Sequence, residues 1–217
     1  MTDSIPRLAP LGDGALTLSY GTVVAPDRAA RTLHHLGCLR RAGLPGVIEI
    51  VPGYLTVTIH YDAAKVLFPA VRDAVAVALA GIGEAPPPPP GPLIEIPVVY
   101  DGPDLEEVAE RTGLTVKAVV ARHLGPTYRV AMLGFVPGFA YLGPLDPALV
   151  LPRRAPPRTR VPTGSVAIAG EQTGIYPAAT PGGWHLIGRT ETTMFDPTRH
   201  PPCPLAVGDR VQFVAQR

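Results

Sequence analysis

Residues 151–177 read LPRRAPPRTRVPTGSVAIAGEQTGIYP, and residues 181–190 read PGGWHLIGRT. Short apolar runs alternate here with glycine and proline, the residues that form turns and end strands. The strand candidates in this half of the chain are residues 128–133, 161–169, 184–187 and 210–214. Many short strands separated by turns predict a β-barrel or a β-sandwich.

The segment before these strands predicts a strand at residues 93–100 and two short helices at 104–112 and 115–124, with a glycine between the helices. Their spacing also matches a DNA-binding helix-turn-helix. The second helix carries only Lys117 and Arg122 as basic residues, whereas a DNA reader needs several phosphate contacts to hold its register. We therefore expect a packed helical hairpin and no nucleic-acid partner.

A proline run marks the clearest boundary in the chain. Residues 85–92 read APPPPPGP, a short polyproline spacer that contributes no core of its own. It predicts two domains, residues 1–84 and residues 93–217.

The first domain has the pattern β-α-β-β-α. The predicted elements are a strand at 14–20, a helix at 27–41, strands at 47–51 and 54–61, and a helix at 63–80 capped by Asp62. Apolar and polar residues alternate along 54–61, which is typical of a half-buried strand. This order predicts a small α+β domain of ferredoxin-like character, and an α+β fold class for the chain.

The composition excludes several classes of protein. The chain has 217 residues, 46% apolar and 17% charged, with a formal net charge of +1. It is therefore globular, and no strong field draws it to nucleic acid or to a membrane surface. The most apolar stretch, residues 66–82, contains Pro69, Arg72 and Asp73 and predicts no membrane span. The two cysteines lie outside any CxxC motif, which predicts reduced thiols in a cytoplasmic protein.

The common catalytic motifs are missing from the sequence. It contains no GxxxxGK phosphate loop, no GxGxxG, no HExxH and no GxSxG. The six histidines have no metal-ligand spacing. We therefore expect this chain to bind neither ATP nor a metal by itself, and we assign no catalytic residue.

Glycine, proline, aromatic residues and arginine are concentrated between residues 134 and 190. The planar guanidinium of arginine can bind a carboxylate through two hydrogen bonds, and aromatic rings can form the walls of a pocket. This composition predicts a concave site for a small carboxylate. The candidate substrate-binding residues are His123, Phe139, Arg153, Arg158, Ser165, Gln172, Tyr176, Trp184 and Arg189. The alternative is structural: loops as barrel corners, aromatics as core and arginines as a solvated rim.

At these residues the chain resembles a known family. The matching stretches are LGDGAL, LPGVIEIVPGYLTVTIHYD, PVVYDGPDLEEVA, GFVPGFAYLG, the two segments quoted first, and GDRVQF. They are similar to those of the B-type subunits of 5-oxoprolinase, also called allophanate hydrolase subunit 1, one branch of which inhibits a sporulation histidine kinase. The resemblance implies a cyclophilin-like β-barrel for residues 93–217.

The resemblance also implies an activity and partners. In this family, ATP-dependent opening of the 5-oxoproline ring gives glutamate, a separate A-type subunit handles the nucleotide, and a C-type subunit pairs with the B-type chain. The chain would then bind no cofactor and would be inactive alone. The alternative function is regulation, in which the chain inhibits a sensor histidine kinase by direct binding. A third hypothesis is that the chain is a prolyl isomerase, but a shared fold alone does not imply that activity.

Overall fold

The computed structural model describes residues 6–21, 26–82 and 91–216, and of residues 26–30 it describes the backbone. Contacts divide the chain into two units, residues 1–89 and residues 90–217. Most of the predicted proline spacer at 85–92 lies outside the described residues. Each unit has its own hydrophobic core.

The N-terminal unit is a four-stranded antiparallel sheet with two helices. Its elements are β1 (Arg7–Pro10), β2 (Ala15–Ser19), α1 (Pro26–Arg41), β3 (Val47–Pro52), β4 (Thr56–Tyr61) and α2 (Phe68–Ala80). The strand order is β1-β2-β4-β3, with every pair antiparallel. The run from β2 to α2 has the order of a ferredoxin-like unit, and β1 occupies the edge beside β2.

One face of this sheet forms the core with the two helices. Leu16 and Leu18 of β2 and Val57 and Ile59 of β4 are fully buried, and they pack in one cluster with Val71 of α2. Their spacing of two residues follows the pleat of a strand, which sends alternate side chains to opposite faces. The predicted alternation along residues 54–61 is therefore confirmed.

Two predictions for this unit were wrong in detail. The helix predicted from residue 63 begins at Phe68, because Pro69 lacks an N–H and fits the first turn of a helix but not its interior. Asp62 caps a turn instead of a helix: it accepts a hydrogen bond from Ala64 N at 3.0 Å and pairs with Lys65 at 2.9 Å. Strand β1 was not predicted, since four residues ending in proline carry no strand signal.

The C-terminal unit is mostly short strands. Its elements are β5 (Leu93–Val98), α3 (Leu105–Thr112), α4 (Val116–Leu124), β6 (Tyr128–Leu133), β7 (Ala140–Gly143), a 3-10 helix (Pro147–Leu149), β8 (Arg158–Val161), β9 (Ser165–Ala169), β10 (Gln172–Ile175), β11 (Thr180–Gly182), β12 (His185–Arg189) and β13 (Arg210–Ala215). Strands β8 and β11 form a separate two-stranded sheet.

Seven strands form a nearly closed barrel in the order β12-β9-β10-β7-β6-β13-β5. Strands β13 and β5 are parallel, and the other neighbours are antiparallel. The two edges meet where Val99 and Arg189 exchange backbone hydrogen bonds of 2.9 and 2.8 Å. A Cβ at Gly188 would lie 2.6 Å from Val99 O, so this closure requires glycine there. The α+β fold class with a barrel-like second domain is confirmed.

The helical hairpin packs on the barrel core. Leu105, Val108 and Ala109 of α3 and Val119 of α4 are buried in the same cluster as the barrel interior. Gly113 ends α3 in the left-handed conformation, and the Thr115 hydroxyl caps α4 by accepting from Ala118 N at 3.2 Å. The two predicted helices are confirmed as a packed pair.

The strand predicted over residues 161–169 is two strands. The turn at residues 162–164 separates β8 from β9, and the chain changes sheets there. Three further strands, β7, β10 and β11, were not predicted because each has only three or four residues. In the part of the chain that the structure describes, no helix has the length and apolar character to cross a membrane.

Candidate functional site

The outer face of the barrel carries a second hydrophobic cluster. Along β9, Val166 and Ile168 point into the barrel core, whereas Ala167 and Ala169 belong to a separate cluster on the opposite face. We call this cluster the aromatic face. Its buried members are Phe139, Val161, Ala167, Ala169, Tyr176, Trp184 and Leu186, with Val136 and Tyr141 packed against them.

Phe139 is the centre of the aromatic face. Its ring centroid lies 4.9 Å from that of Tyr141, 5.3 Å from Tyr176, 5.4 Å from Trp184 and 5.6 Å from Phe135. All four contacts are edge-to-face, the geometry that the ring quadrupole favours. The predicted residues Phe139, Tyr176 and Trp184 are therefore brought together, as buried walls of one surface.

The fold holds Tyr176 tightly in this surface. The Trp184 backbone N–H donates to the Tyr176 phenol oxygen. A Cβ at Gly182 would lie 2.4 Å from that oxygen, so only glycine leaves room for it. Tyr176 is consequently a fixed wall of the aromatic face, and the exposed Phe135 ring meets it edge to face.

The three predicted arginines have different environments. Arg158 binds Asp104 through both ends of its fork: Nη1 donates to Oδ2 at 2.8 Å and Nη2 to Oδ1 at 2.6 Å. Arg189 pairs with Asp101 through Nε at 2.8 Å on an exposed surface. Arg153 is exposed and has no acidic partner among the residues that the structure describes. Arg153 is therefore the one of the three with its donors available.

Asp104 is the hub of an ion-pair network that the sequence did not reveal. It is 2% exposed, and besides Arg158 it accepts hydrogen bonds from Arg154 Nη1 at 2.9 Å and from Leu186 N at 2.7 Å. Arg154 also pairs with Glu107 on α3. Burial alone raises the pKa of Asp104, but the hydrogen bonds and the two guanidinium charges outweigh it and lower that pKa below its usual value. The network ties the loop before β8 to α3 and β12.

Tyr141 and Tyr176 are neutral hydrogen-bonding groups beside Arg153. Burial raises the pKa of both phenols, and the Arg153 charge lowers each pKa by a smaller amount. The phenols therefore keep their protons at neutral pH. A guanidinium beside protonated phenols and apolar rings suits an acid that carries an apolar body.

His123 lies elsewhere, inside the barrel. Tyr100 O–H lies 2.7 Å from Nδ1, and Nε2 lies 2.8 Å from Thr173 Oγ1. Because the Thr173 hydroxyl donates to Ala167 O at 3.0 Å, it accepts from Nε2–H, so Nδ1 accepts from Tyr100. Burial lowers the pKa of His123 to about 3. The structure thus places His123 in a satisfied core network rather than on the aromatic face.

Ser165 and Gln172 share the outer side of the barrel. Ser165 precedes Ala167 by two residues on β9, and its hydroxyl donates to Pro162 O at 2.8 Å. Gln172 lies on β10, two residues before Gly174, over whose Cα the Phe139 ring packs. Substrate binding by either side chain stays a prediction.

Two further residues of this surface belong to the aromatic residues expected to form pocket walls, although they were not among the candidate substrate-binding residues. Phe135 and Tyr141 flank Phe139 in the motif GFVPGFAYLG, where three aromatic residues surround a Pro-Gly turn. Asp104 had no comparable signal, because it looks like an ordinary helix cap three residues after Asp101. Among the described ranges, no three His, Cys, Asp or Glu side chains are grouped as metal ligands would be.

The N-terminal unit has a separate apolar groove of about 500 Å³. It lies between the end of α1 and the outer side of α2, and its lining includes Leu44, Asp73 and Val77. None of the predicted site residues contributes to it.

The sequence of the chain matches a known class of proteins over most of its length. A family described as "Carboxyltransferase domain, subdomain C and D" matches residues 6–205. The B-type subunit of the 5-oxoprolinase of Bacillus subtilis (strain 168) is 38% identical over 221 residues, which cover 96% of this chain and 92% of the relative. The corresponding subunit of the 5-oxoprolinase of Escherichia coli O157:H7 is 46% identical over 182 residues, 82% of each chain. The chain belongs to the family of 5-oxoprolinase B-type subunits, as its motifs predicted.

Solved structures share the fold of this chain. The crystal structure of TTHA0988 has a TM-score of 0.83 and 42% identity over 94% of this chain. The match covers 40% of TTHA0988, so this chain spans about two fifths of that longer protein. The K. lactis urea amidolyase has a TM-score of 0.82 at 21% identity over all of this chain and 15% of that one, a likeness of fold alone.

Proposed function

We propose that this chain acts in the cytoplasm as the B-type subunit of a 5-oxoprolinase, which opens the ring of 5-oxoproline to glutamate with A-type and C-type subunits and ATP. The observation that carries the proposal is the 38% identity to the B-type subunit of a 5-oxoprolinase over nearly the full length of both chains. The surface formed by Arg153 and the aromatic face supports it, because 5-oxoproline is a compact ring that carries a carboxylate.

Different subunits would carry out different steps of the reaction. A five-membered lactam is a poor electrophile, and phosphorylation of its amide oxygen would make attack by water easier. Water adds to the activated carbon, the ring C–N bond breaks with the nitrogen taking up a proton, and a second water releases the phosphoryl group, so that one ATP and two waters give glutamate, ADP and phosphate. The A-type subunit would bind the nucleotide, since this sequence has no phosphate loop.

The role of this chain is to hold the substrate. Arg153 would donate to the carboxylate, and the aromatic face would exclude water from one side of the ring. Binding of this kind places the amide for reaction without supplying a nucleophile. The C-type subunit would complete the site, which accounts for a chain that is inactive alone.

Reconstitution of the three subunits tests the proposal. Glutamate release from 5-oxoproline should require ATP and this chain together, and should stop when any one of the three subunits is omitted. Heat-denatured B-type chain serves as the control for nonspecific effects of added protein. Glutamate release at an undiminished rate by the A-type and C-type subunits alone would contradict the proposed role.

A further inference from the structure

We propose that Phe135 is a substrate-contact residue of this site: its exposed ring is a fixed apolar wall against which the substrate's five-membered ring packs while Arg153 holds the carboxylate. This inference rests on the proposed function and adds the residue that selects for a compact apolar ring.

The backbone at Phe135 is unusual. Its φ is +67°, and it is the one non-glycine residue with positive φ in the part of the chain that the structure describes. An L side chain is disfavoured in this region, and glycine would occupy it without strain. Strained residues of this kind concentrate at functional sites, because only a gain elsewhere offsets their cost. The presence of phenylalanine at this strained position therefore indicates a role for its side chain.

The loop that carries Phe135 is closed by its own hydrogen bonds. Gly134 N donates to Phe139 O at 3.1 Å, Val136 N to Gly134 O at 2.8 Å, and Phe139 N to Val136 O at 3.1 Å. These bonds fix the backbone of the turn between β6 and β7, and the Phe135 ring rests edge to face on Phe139 and Tyr176. A ring held in this way loses little conformational entropy when a ligand packs on it.

The Phe135 ring is exposed although buried aromatic rings lie directly beside it. It is 59% exposed, and it meets Phe139 at 82° and Tyr176 at 88°, with centroids 5.6 and 6.5 Å apart. If the ring were buried in the aromatic face, its apolar surface would be removed from water, which is favourable. The strained turn instead keeps it outside, as expected for a surface that a ligand covers.

The charge beside this ring defines the ligand. The Phe135 ring contacts Tyr176 edge to face, and the charge of Arg153 lowers the pKa of the same phenol. An apolar wall, together with a guanidinium that has no acidic partner within the described ranges, fits a small ring with one acidic group. A long flexible acid would leave the wall uncovered.

The experiment compares Phe135→Ala, Phe135→Gly and Phe135→Tyr in the reconstituted three-subunit complex. We expect KM for 5-oxoproline to rise roughly tenfold in the alanine and glycine variants, with kcat nearly unchanged, and to stay close to wild type in Phe135→Tyr. Phe135→Gly should also unfold at a temperature a few degrees higher, because it relieves the strained turn. Val116→Ala, at an exposed position on α4, is the matched control.

Each outcome has a distinct meaning. An unchanged KM in Phe135→Ala, with an active wild-type complex, would overturn this inference alone. Loss of co-purification with the other subunits at a normal KM would make Phe135 a docking contact and would also overturn it. A wild-type complex that releases no glutamate removes the proposed function, and this inference with it.

Discussion

The Arg158→Ala variant is expected to lose about 2–3 kcal/mol of unfolding free energy in the C-terminal unit. The cause is Asp104, a carboxylate buried at 2% exposure that receives two of its four hydrogen bonds from Arg158. Removal of that guanidinium leaves a buried negative charge with only Arg154 and the Leu186 N–H. Urea unfolding followed by tryptophan fluorescence would measure the loss, since Trp184 is the single tryptophan and lies in this unit.

Arg189→Ala is the matched control for that loss. Arg189 also pairs with an aspartate, but both side chains are about half exposed, at 58% and 46%. Exposed pairs contribute less than about 1 kcal/mol because water screens them. Equal losses in Arg158→Ala and Arg189→Ala would show that Asp104 does not depend on Arg158.

Acid should destabilise the C-terminal unit through His123. The folded state holds this imidazole neutral, with a pKa of about 3, whereas the unfolded chain has the ordinary value of about 6.5. Between these two pH values the unfolded state binds the extra proton, so the stability contributed by His123 is present at neutral pH and is lost as the pH falls. From pH 7 to pH 5 the expected loss is about 2 kcal/mol from this residue.

The His123→Gln variant isolates this effect. Glutamine can still hydrogen-bond to Tyr100 and Thr173 but does not titrate, so the unfolding free energy should fall less steeply between pH 7 and pH 5 than in the wild type. The absolute stability at pH 7 should be lower, because the variant loses the stacking of His123 on Phe213 at 4.6 Å. His200→Gln, at an exposed position, is the control for replacing a histidine with glutamine. Parallel pH profiles for wild type and His123→Gln would refute the assigned role.

The sequence predicted those parts of the fold that depend on interactions between residues close together in the chain. The alternation of residues 54–61 and the turn between α3 and α4 are set by neighbours in the sequence, and both were correct. Four-residue strands such as β7 and β10 have too few residues for a period, and their pairing with each other joins distant parts of the chain, with Thr173 opposite Leu142. The barrel closure at Val99 and Arg189, 90 positions apart, is of that kind.

The site divides in the same way. The aromatic residues were predicted together because the sequence places them near turns, and they do meet on one face. The three arginines looked alike in sequence, yet Arg158 is bound by Asp104, 54 positions away. His123 looked available for a ligand, although Thr173, 50 positions away, holds its ring inside the barrel. Tertiary contacts decide which polar side chains are available to a ligand, and the periodicity of the sequence does not predict those contacts.

The kinetics of Arg153→Ala in the three-subunit complex test the central claim most directly. The guanidinium has no acidic partner in the described part of the chain, so the variant should fold normally and raise KM for 5-oxoproline by roughly 10- to 100-fold. Arg160→Ala, an exposed arginine on β8, should keep the wild-type KM. Indistinguishable kinetics for the two variants would mean that the acid is bound somewhere other than at Arg153 and the aromatic face.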